Sequence, residues 1–120
     1  MNIGVTGKSG EDRVAAFLRK RGFSVIKRNY QCRFGEIDII AETDEYIIFV
    51  EVKTRKQNSL VSAAEAVDAR KQQKIMLTAQ DYISKTFCQL QPRFDVAEVT
   101  VTENSDGSKK YSLNYIENAF

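Results

Sequence analysis

The sequence predicts an α/β domain in which a mixed sheet is flanked by helices, with elements in the order α-β-β-β-α-β-β. Two segments carry apolar residues at three- and four-residue spacing, and the rest of the patterned sequence falls into short runs rich in β-branched and aromatic residues. The first helix is expected to open at Ser9-Gly10-Glu11-Asp12, with Ser9 as cap and the acidic residues in the first turn, and to bury Val14, Phe17 and Leu18. Arg19, Lys20 and Arg21 place cations in its last turn, and Gly22 supplies the left-handed residue that stops it. Strands are expected over 23–30, 34–41 and 46–54, the last two joined across the polar break Glu42-Thr43-Asp44-Glu45, which is short enough for a hairpin.

Beyond the polar loop Gln57-Asn58-Ser59, the segment Ser62-Ala63-Ala64-Glu65 has capping-box spacing, so the second helix is expected to start there and to run to about Phe87. Its apolar stripe is Ile75, Ala79, Ile83 and Phe87, with Arg70, Lys71 and Lys74 on a different, basic face. Pro92 blocks helical continuation. Strands at 94–101 and 111–115 follow, separated by a turn at Asn104-Ser105-Asp106-Gly107.

Composition sets the class of chemistry. Hydrophobic residues at 42% and charged residues at 28% are ordinary globular usage, so residues 1–120 are expected to fold as one domain without staples. Cys32 and Cys88 lie far apart with no second pair, which predicts free thiols in a reducing cytoplasm rather than a zinc site. No N-terminal export pattern and no apolar run near the roughly 18 residues of a membrane span is present, so no membrane association is expected. The chain has no histidine, which removes Ser-His and Cys-His catalysis, His-zinc sites and imidazole acid/base chemistry together. Carboxylates, lysine and a hard cation are what remain.

Alternate residues of a strand share a face, so Glu36 pairs with Asp38 and Glu51 with Lys53. A hairpin loop with an even number of residues pairs positions whose numbers have an odd sum. A two-residue loop at Asp44-Glu45 sets Asp38 opposite Glu51; a four-residue loop sets Glu36 there instead. Both gather Asp38, Glu51 and Lys53. Two carboxylates about 5 Å apart repel by about 3 kcal/mol at an effective dielectric near 20, a cost that a divalent cation reverses. Oxygen ligands alone favour Mg²⁺ or Mn²⁺, with the Val52 carbonyl as a further donor. A water acidified there and positioned by Lys53 suits attack on a phosphodiester. Tyr46, Ile48, Val50 and Val52 form one apolar face of this strand, and Ile47 and Phe49 the other until it turns charged at Glu51, Lys53 and Arg55. A strand buried on both faces that becomes ionic at one end predicts a cleft mouth; a solvated, salt-bridged sheet edge is the alternative.

Glu11 shares a helical face with Val14, Ala15 and Leu18, so it is either a cleft carboxylate or a favourable first-turn charge. Net charge is only +2, so any polyanionic partner must be recognised by local distribution. Arg28, Arg55, Lys56, Arg70, Lys71 and Lys74 are the candidate phosphate contacts, with Lys27 and Arg33 nearby in sequence and Tyr30 either a base-stacking or a core tyrosine.

Gly35-Glu36-Ile37-Asp38, then Phe49-Val50-Glu51-Val52-Lys53-Thr54-Arg55, resembles the G-E-I-D and F-V-E-V-K-x-R signatures of the YraN family of bacterial proteins. That family looks like a branch of the restriction-endonuclease-like, or PD-(D/E)xK, superfamily, related to archaeal Holliday-junction resolvases. Gly10-Glu11, Arg28-Asn29-Tyr30, Ala64-Glu65-Ala66-Val67, Lys71, Arg93-Phe94-Asp95-Val96 and Asn118-Ala119-Phe120 also fit, so the likeness covers nearly the whole chain. It implies a restriction-endonuclease-like core, Asp38 and Glu51 as metal ligands for Mg²⁺ or Mn²⁺, Lys53 assisting the water, and Glu11 as the helical acidic residue of the catalytic set. The activity implied is metal-dependent phosphodiester hydrolysis of DNA, including branched or repair and recombination intermediates. The alternative is a non-catalytic nucleic-acid-binding module that retains the nuclease fold, and a protein-interaction domain is the third reading. A homodimer is compatible with each.

Overall fold

The computed structural model describes the backbone of residues 3–57 and 67–120, and the side chains of residues 9–57 and 67–120. Along these the elements are α1 (Ile3–Lys20), β1 (Ser24–Cys32), β2 (Gly35–Glu42), β3 (Tyr46–Lys56), α2 (Ala69–Thr86), β4 (Gln91–Glu103) and β5 (Lys109–Ile116). The expected α/β order is therefore observed. The strands form one mixed sheet in the order β1-β2-β3-β4-β5, antiparallel except for the parallel pair β3/β4. A parallel step requires a crossover, and α2 lies within it.

Each face of the sheet buries one helix. On the first, Val14, Ala15 and Leu18 of α1 pack on Ile39, Ala41, Ile48, Val50, Ala97 and Val99. On the second, Ile75 and Ala79 of α2 join Ile37, Ile40, Ile47, Phe49, Val67 and Val96. The two-faced burial of β3 matches the apolar runs in its sequence. This architecture is broadly that of a restriction-endonuclease-like fold.

Helix boundaries depart from expectation. Helix α1 starts at Ile3, and no acidic residue occupies its first turn, so Ser9 lies inside the helix rather than at its cap. A potential cap defines a terminus only where the preceding backbone leaves the helix, and here the backbone hydrogen bonding extends upstream. Gly10 serves packing instead: a Cβ there would stand 2.3 Å from Thr54 Oγ1, so α1 crosses β3 closely at this point. The expected stop is observed. Gly22 is left-handed (φ 88°), and Gly22 N→Arg19 O and Phe23 N→Leu18 O hydrogen bonds close a Schellman motif.

The proposed capping box at 62–65 lies outside the described residues. The described helix α2 starts at Ala69, capped by Asp68, whose carboxylate accepts the Lys71 N–H at 2.9 Å. Of the expected stripe, Ile75 and Ala79 are buried and Ile83 packs against the core, but Phe87 is 81% exposed as a left-handed C-cap. Lys71 sits one turn before Ile75 and lines the same cleft with it, so the expected separate basic face is corrected: helical spacing continues the stripe into a lysine.

All strands but β2, which keeps its expected length one residue further on, run longer than expected, because pairing continues past the apolar residues into polar ends. At Ile26 the β1/β2 register shifts by one residue, a bulge. The expected turn after β4 is closed by Gly107 (φ 88°), whose N–H donates to Asn104 O at 3.0 Å.

Asp95 ties β4, β5 and the C-terminal segment together. Its fully buried carboxylate accepts from Arg93 (Nε 3.0 Å and Nη2 2.8 Å), Tyr115 Oη (2.6 Å) and the Asn118 backbone N–H (2.9 Å). Ala119 N also donates to Phe94 O, and Phe120 stacks on Phe94 with centroids 5.2 Å apart. Removing one partner of a buried ion pair strands the other, so Asp95→Ala should lower stability by about 3 kcal/mol. Tyr115→Phe, which deletes one charge-assisted bond, should cost about 2 kcal/mol. Urea denaturation midpoints measure both, and values for Asp95→Ala within experimental error of the native protein would contradict this assignment.

Candidate functional site

The hairpin between β2 and β3 pairs Thr43 with Tyr46, where Thr43 N donates to Tyr46 O at 2.9 Å, and pairs Ile39 with Val50. The two-residue loop at Asp44-Glu45 is therefore the observed one, and its register brings Asp38 level with Glu51. The ladder pairing stops there. Asp38 Oδ2 accepts the Val52 N–H at 2.7 Å, so a side chain replaces the backbone acceptor. On the other side, the β1/β2 pairing passes from Arg28/Ile39 to Tyr30/Ile37, skipping Asn29 and Asp38, and Asn29 is left-handed (φ 54°).

Alternation also breaks at Asp38. Ile37 and Ile40 both pack on the α2 side, with Ile39 on the α1 side between them. The sheet is thus kinked and partly unpaired where its acidic residue sits, and the strands separate into a cleft.

That cleft, about 370 Å³, is lined by Gly35, Glu36, Asp38, Glu51, Val52, Lys53, Lys71, Lys74 and Ile75. The β1–β2 turn forms one wall: Gly35 (φ 151°) lies against α2, where an added Cβ would stand 3.4 Å from Thr78 Oγ1. Glu51 is only 5% exposed, and its Oε2 faces Lys71 Nζ at 2.9 Å and Lys53 Nζ at 3.5 Å. Burial, then the charge of Glu51 and a hydrogen bond with it, push the Asp38 carboxyl up to about 8; the Val52 N–H pulls the other way and the charge of Glu11 adds a little. The Lys71 ammonium is raised by its bond to Glu51, against a smaller opposing effect of burial.

Asp38, Glu51 and Lys53 are therefore brought together as expected. Among the described residues no cluster of three or more acidic, histidine or cysteine side chains is arranged to hold a metal; Asp38 and Glu51 lie level on neighbouring strands, and Glu36 lines the same cleft while bonded to Gln31. The Val52 N–H points toward Asp38, and in an extended strand the C=O of the same residue faces the same edge, which puts the Val52 carbonyl on the cleft side.

Glu11 is not among the cleft-lining residues. Its Oε1 accepts from Arg28 (Nε 3.2 Å, Nη2 3.1 Å) and Asn29 Nδ2 (3.0 Å), which anchors the left-handed Asn29 to α1. Glu11 thus reaches Asp38 through space and supports the kink by direct contact. Arg28 is further held by Asp12 at 2.6 Å, and Arg55 by Glu98 at 2.7 Å. Lys56 and Arg70 are exposed, and Lys74 lines the cleft without an ion pair to any described residue. Tyr30 belongs to the packing: its hydroxyl donates to Asp81 and its ring meets Tyr82 edge-on with centroids 5.1 Å apart.

Sequence reading did not anticipate Asn29 as the residue that bends β1, or the pairing of Lys71 with Glu51. An asparagine inside a β-rich run was the available signal for the first, since asparagine tolerates the left-handed region and disfavours strands. For the second, Lys71 four residues before Ile75 was the signal.

Fold and cleft together make this an α/β domain broadly of restriction-endonuclease-like order, with a buried Glu51, a half-buried Asp38 and two lysines beside Glu51. Comparison with known proteins narrows this further. Residues 10–99 match the model of the uncharacterised protein family UPF0102, and the chain belongs to that family, the YraN family of the sequence resemblance. It is 44% identical over 121 residues to a UPF0102 protein of Caldanaerobacter subterraneus, covering 100% of this chain and 98% of the relative. A UPF0102 protein of Clostridium acetobutylicum is 44% identical over 115 residues (95% and 92% covered), and one of Dictyoglomus thermophilum is 40% identical over 121 residues, with both chains covered in full. Among the described residues, no helix is long and apolar enough to cross a membrane.

The raised Asp38 carboxyl has a consequence for stability. Its pKa is higher in the folded protein than in the unfolded chain, where it is near the ordinary 3.8, so the fold keeps a proton that the unfolded chain releases. That contribution is complete below about pH 4 and is lost as pH rises toward about 8. In EDTA, stability attributable to this residue should fall across that window, and Asp38→Asn should flatten the dependence. Chemical denaturation at a series of pH values measures it; parallel curves for the two proteins would refute the assignment.

Proposed function

We propose that this protein is a divalent-cation-dependent endonuclease acting on DNA, with Asp38, Glu51 and Lys53 as its catalytic residues. One observation carries the reading: the buried Glu51 carboxylate, the half-buried Asp38 carboxyl and two ammonium groups share a cleft at the point where the β2/β3 ladder ends. The donor set fits a hard cation, because Asp38 and Glu51 offer oxygen only and the cleft has room for the waters that Mg²⁺ retains. A bound Mg²⁺ or Mn²⁺ would supply neutralisation of the carboxylates, acidification of a water and polarisation of a phosphoryl oxygen.

Asp38 is oriented for this by the Val52 N–H, and Glu51 by its position on a strand buried on both faces. The Lys53 ammonium stands beside Glu51 at the mouth, where it can orient the attacking water and stabilise charge on the phosphoryl oxygens. Glu11 enters as support for Asn29 and for the field at Asp38. Lys74, Lys56 and Arg70 are the cations best disposed to follow a phosphate backbone, and Arg28 and Arg55 contribute charge from within their ion pairs. DNA, including branched or repair and recombination intermediates, is the substrate class taken by analogy with other proteins of such a fold. Free Cys32 and Cys88 accord with a reducing, cytoplasmic setting.

A specific observation favours a second reading, that of a nucleic-acid-binding module without turnover: Lys53 and Lys71 both pair with Glu51, so the protein itself supplies its counter-charge. Labelled duplex, single-stranded and four-way-junction DNA incubated with Mg²⁺ or Mn²⁺ separates the two. A nuclease should lose about 10²- to 10³-fold in rate on Lys53→Ala and at least as much on Asp38→Ala or Glu51→Ala, and all activity in EDTA. Salt-sensitive binding with no nicking under either metal would establish the binding module instead.

A further inference from the structure

Helix α2 opens with an anionic cap, Asp68, followed at once by cations. Arg70 and Lys71 occupy the first turn and Lys74 the next, with no acidic residue in that turn, although cations near a helix N-terminus are disfavoured. Lys71 is compensated in a specific way. Its ammonium lies 2.9 Å from Glu51 Oε2, closer than Lys53 at 3.5 Å, and both approach the same oxygen. Glu51 is almost fully buried, whereas the Lys71 side chain is 42% exposed, so the anion is fixed and the cation has room to leave. The stem of Lys71 rises from the N-terminal turn of α2 at the cleft wall, beside Lys74, which has no ion-pair partner among the described residues.

We propose that Lys71 is an exchangeable counter-ion: it neutralises Glu51 in the cation-free protein, is displaced when a divalent cation takes that carboxylate, and then presents its ammonium to a phosphate of the substrate. The proposal rests on Asp38 and Glu51 being the cation site. One oxygen cannot accept both a close ammonium and a divalent cation at full strength, because the two positive charges repel across it. Lys53, farther away on the strand itself, stays beside Glu51; Lys71, reaching in from the helix, is the one released. Exchange of this kind is reciprocal, so a phosphate that captures Lys71 also tightens the cation. The cleft would then assemble its cation fully only with a phosphodiester in place.

Calorimetric titration with Mn²⁺, without nucleic acid, tests this on the native protein, Lys71→Met, Lys71→Arg, Asp38→Asn and, as a generic charge control, Lys110→Met. Lys71→Met should bind Mn²⁺ about tenfold more tightly than the native protein. Lys71→Arg and Lys110→Met should match the native value, and Asp38→Asn should lose binding. In the native protein, Mn²⁺ should also raise the acylation rate of Lys71 severalfold, read by mass spectrometry, with no such rise in Asp38→Asn. Binding detectable only in Lys71→Met would support the proposal as well. Native binding that Lys71→Met leaves unchanged or weakens, an equal gain in Lys110→Met, or a Lys71 acylation rate indifferent to bound Mn²⁺ would overturn the exchange while leaving the cation site standing. No Mn²⁺ binding in either the native protein or Lys71→Met would remove the cation site and the exchange together.

Discussion

Two acidic side chains, Glu51 buried and Asp38 half-buried, brought level on neighbouring strands impose the constraint from which the local architecture follows. Asp38 and Glu51 lie level on neighbouring strands, and an ordinary continuation of the β2/β3 ladder would press their carboxyl groups together. The ladder instead ends at Ile39/Val50, and Asp38 takes the next backbone donor, the Val52 N–H, for itself. Losing a backbone acceptor there is tolerable because a charged or hydrogen-bonding carboxyl replaces it. The left-handed Asn29 on the far side of β2, braced by Glu11, lets β1 follow the same kink. The end of the β2/β3 ladder, the left-handed Asn29 and the raised Asp38 carboxyl all fall at this point of the sheet.

Such a site needs stability from elsewhere. Ile39, Ile48 and Val50 on one face, and Ile47, Phe49 and Val96 on the other, are fully buried within a few residues of the cleft. Each burial of this type contributes about 1.5–3 kcal/mol relative to exposure, which sets a rigid base under the two charged strand ends. The Asp95 cluster does comparable work on the adjacent strand β4, where Asp95 is the register partner of Val50. There a buried carboxylate is saturated by protein donors and holds the chain terminus. The contrast is informative: Asp95 has every acceptor position served, whereas Asp38 and Glu51 meet a cleft. Satisfied buried charge reads as structure, and buried charge facing open volume reads as a binding site.

Family membership extends across the chain, as the relatives of nearly equal length show. It fixes what the protein is descended with rather than what it does, so the functional argument has to stand on the cleft. Within the cleft, Lys53, Lys71 and Lys74 stand among Glu36, Asp38 and Glu51. Lys74 lines the cleft without an ion pair to any described residue.

The sequence alone determined the order of elements, the two-faced burial of β3, the stop at Gly22 and the meeting of Asp38, Glu51 and Lys53, since each depends on period and parity along a short stretch of chain. It misplaced the start of α1 at Ser9, because a good capping residue marks an end only if the upstream backbone turns away. It also set Lys71 apart from the apolar stripe, because residue type suggested a solvated face where helical spacing pointed inward. Tertiary structure decided the rest: which loop length the hairpin used, that Asn29 bends β1, that Glu11 serves Arg28 and Asn29, and that Lys71 reaches Glu51. These involve groups distant in sequence whose energies depend on burial and on one another's charge, and neither quantity exists until the chain has folded.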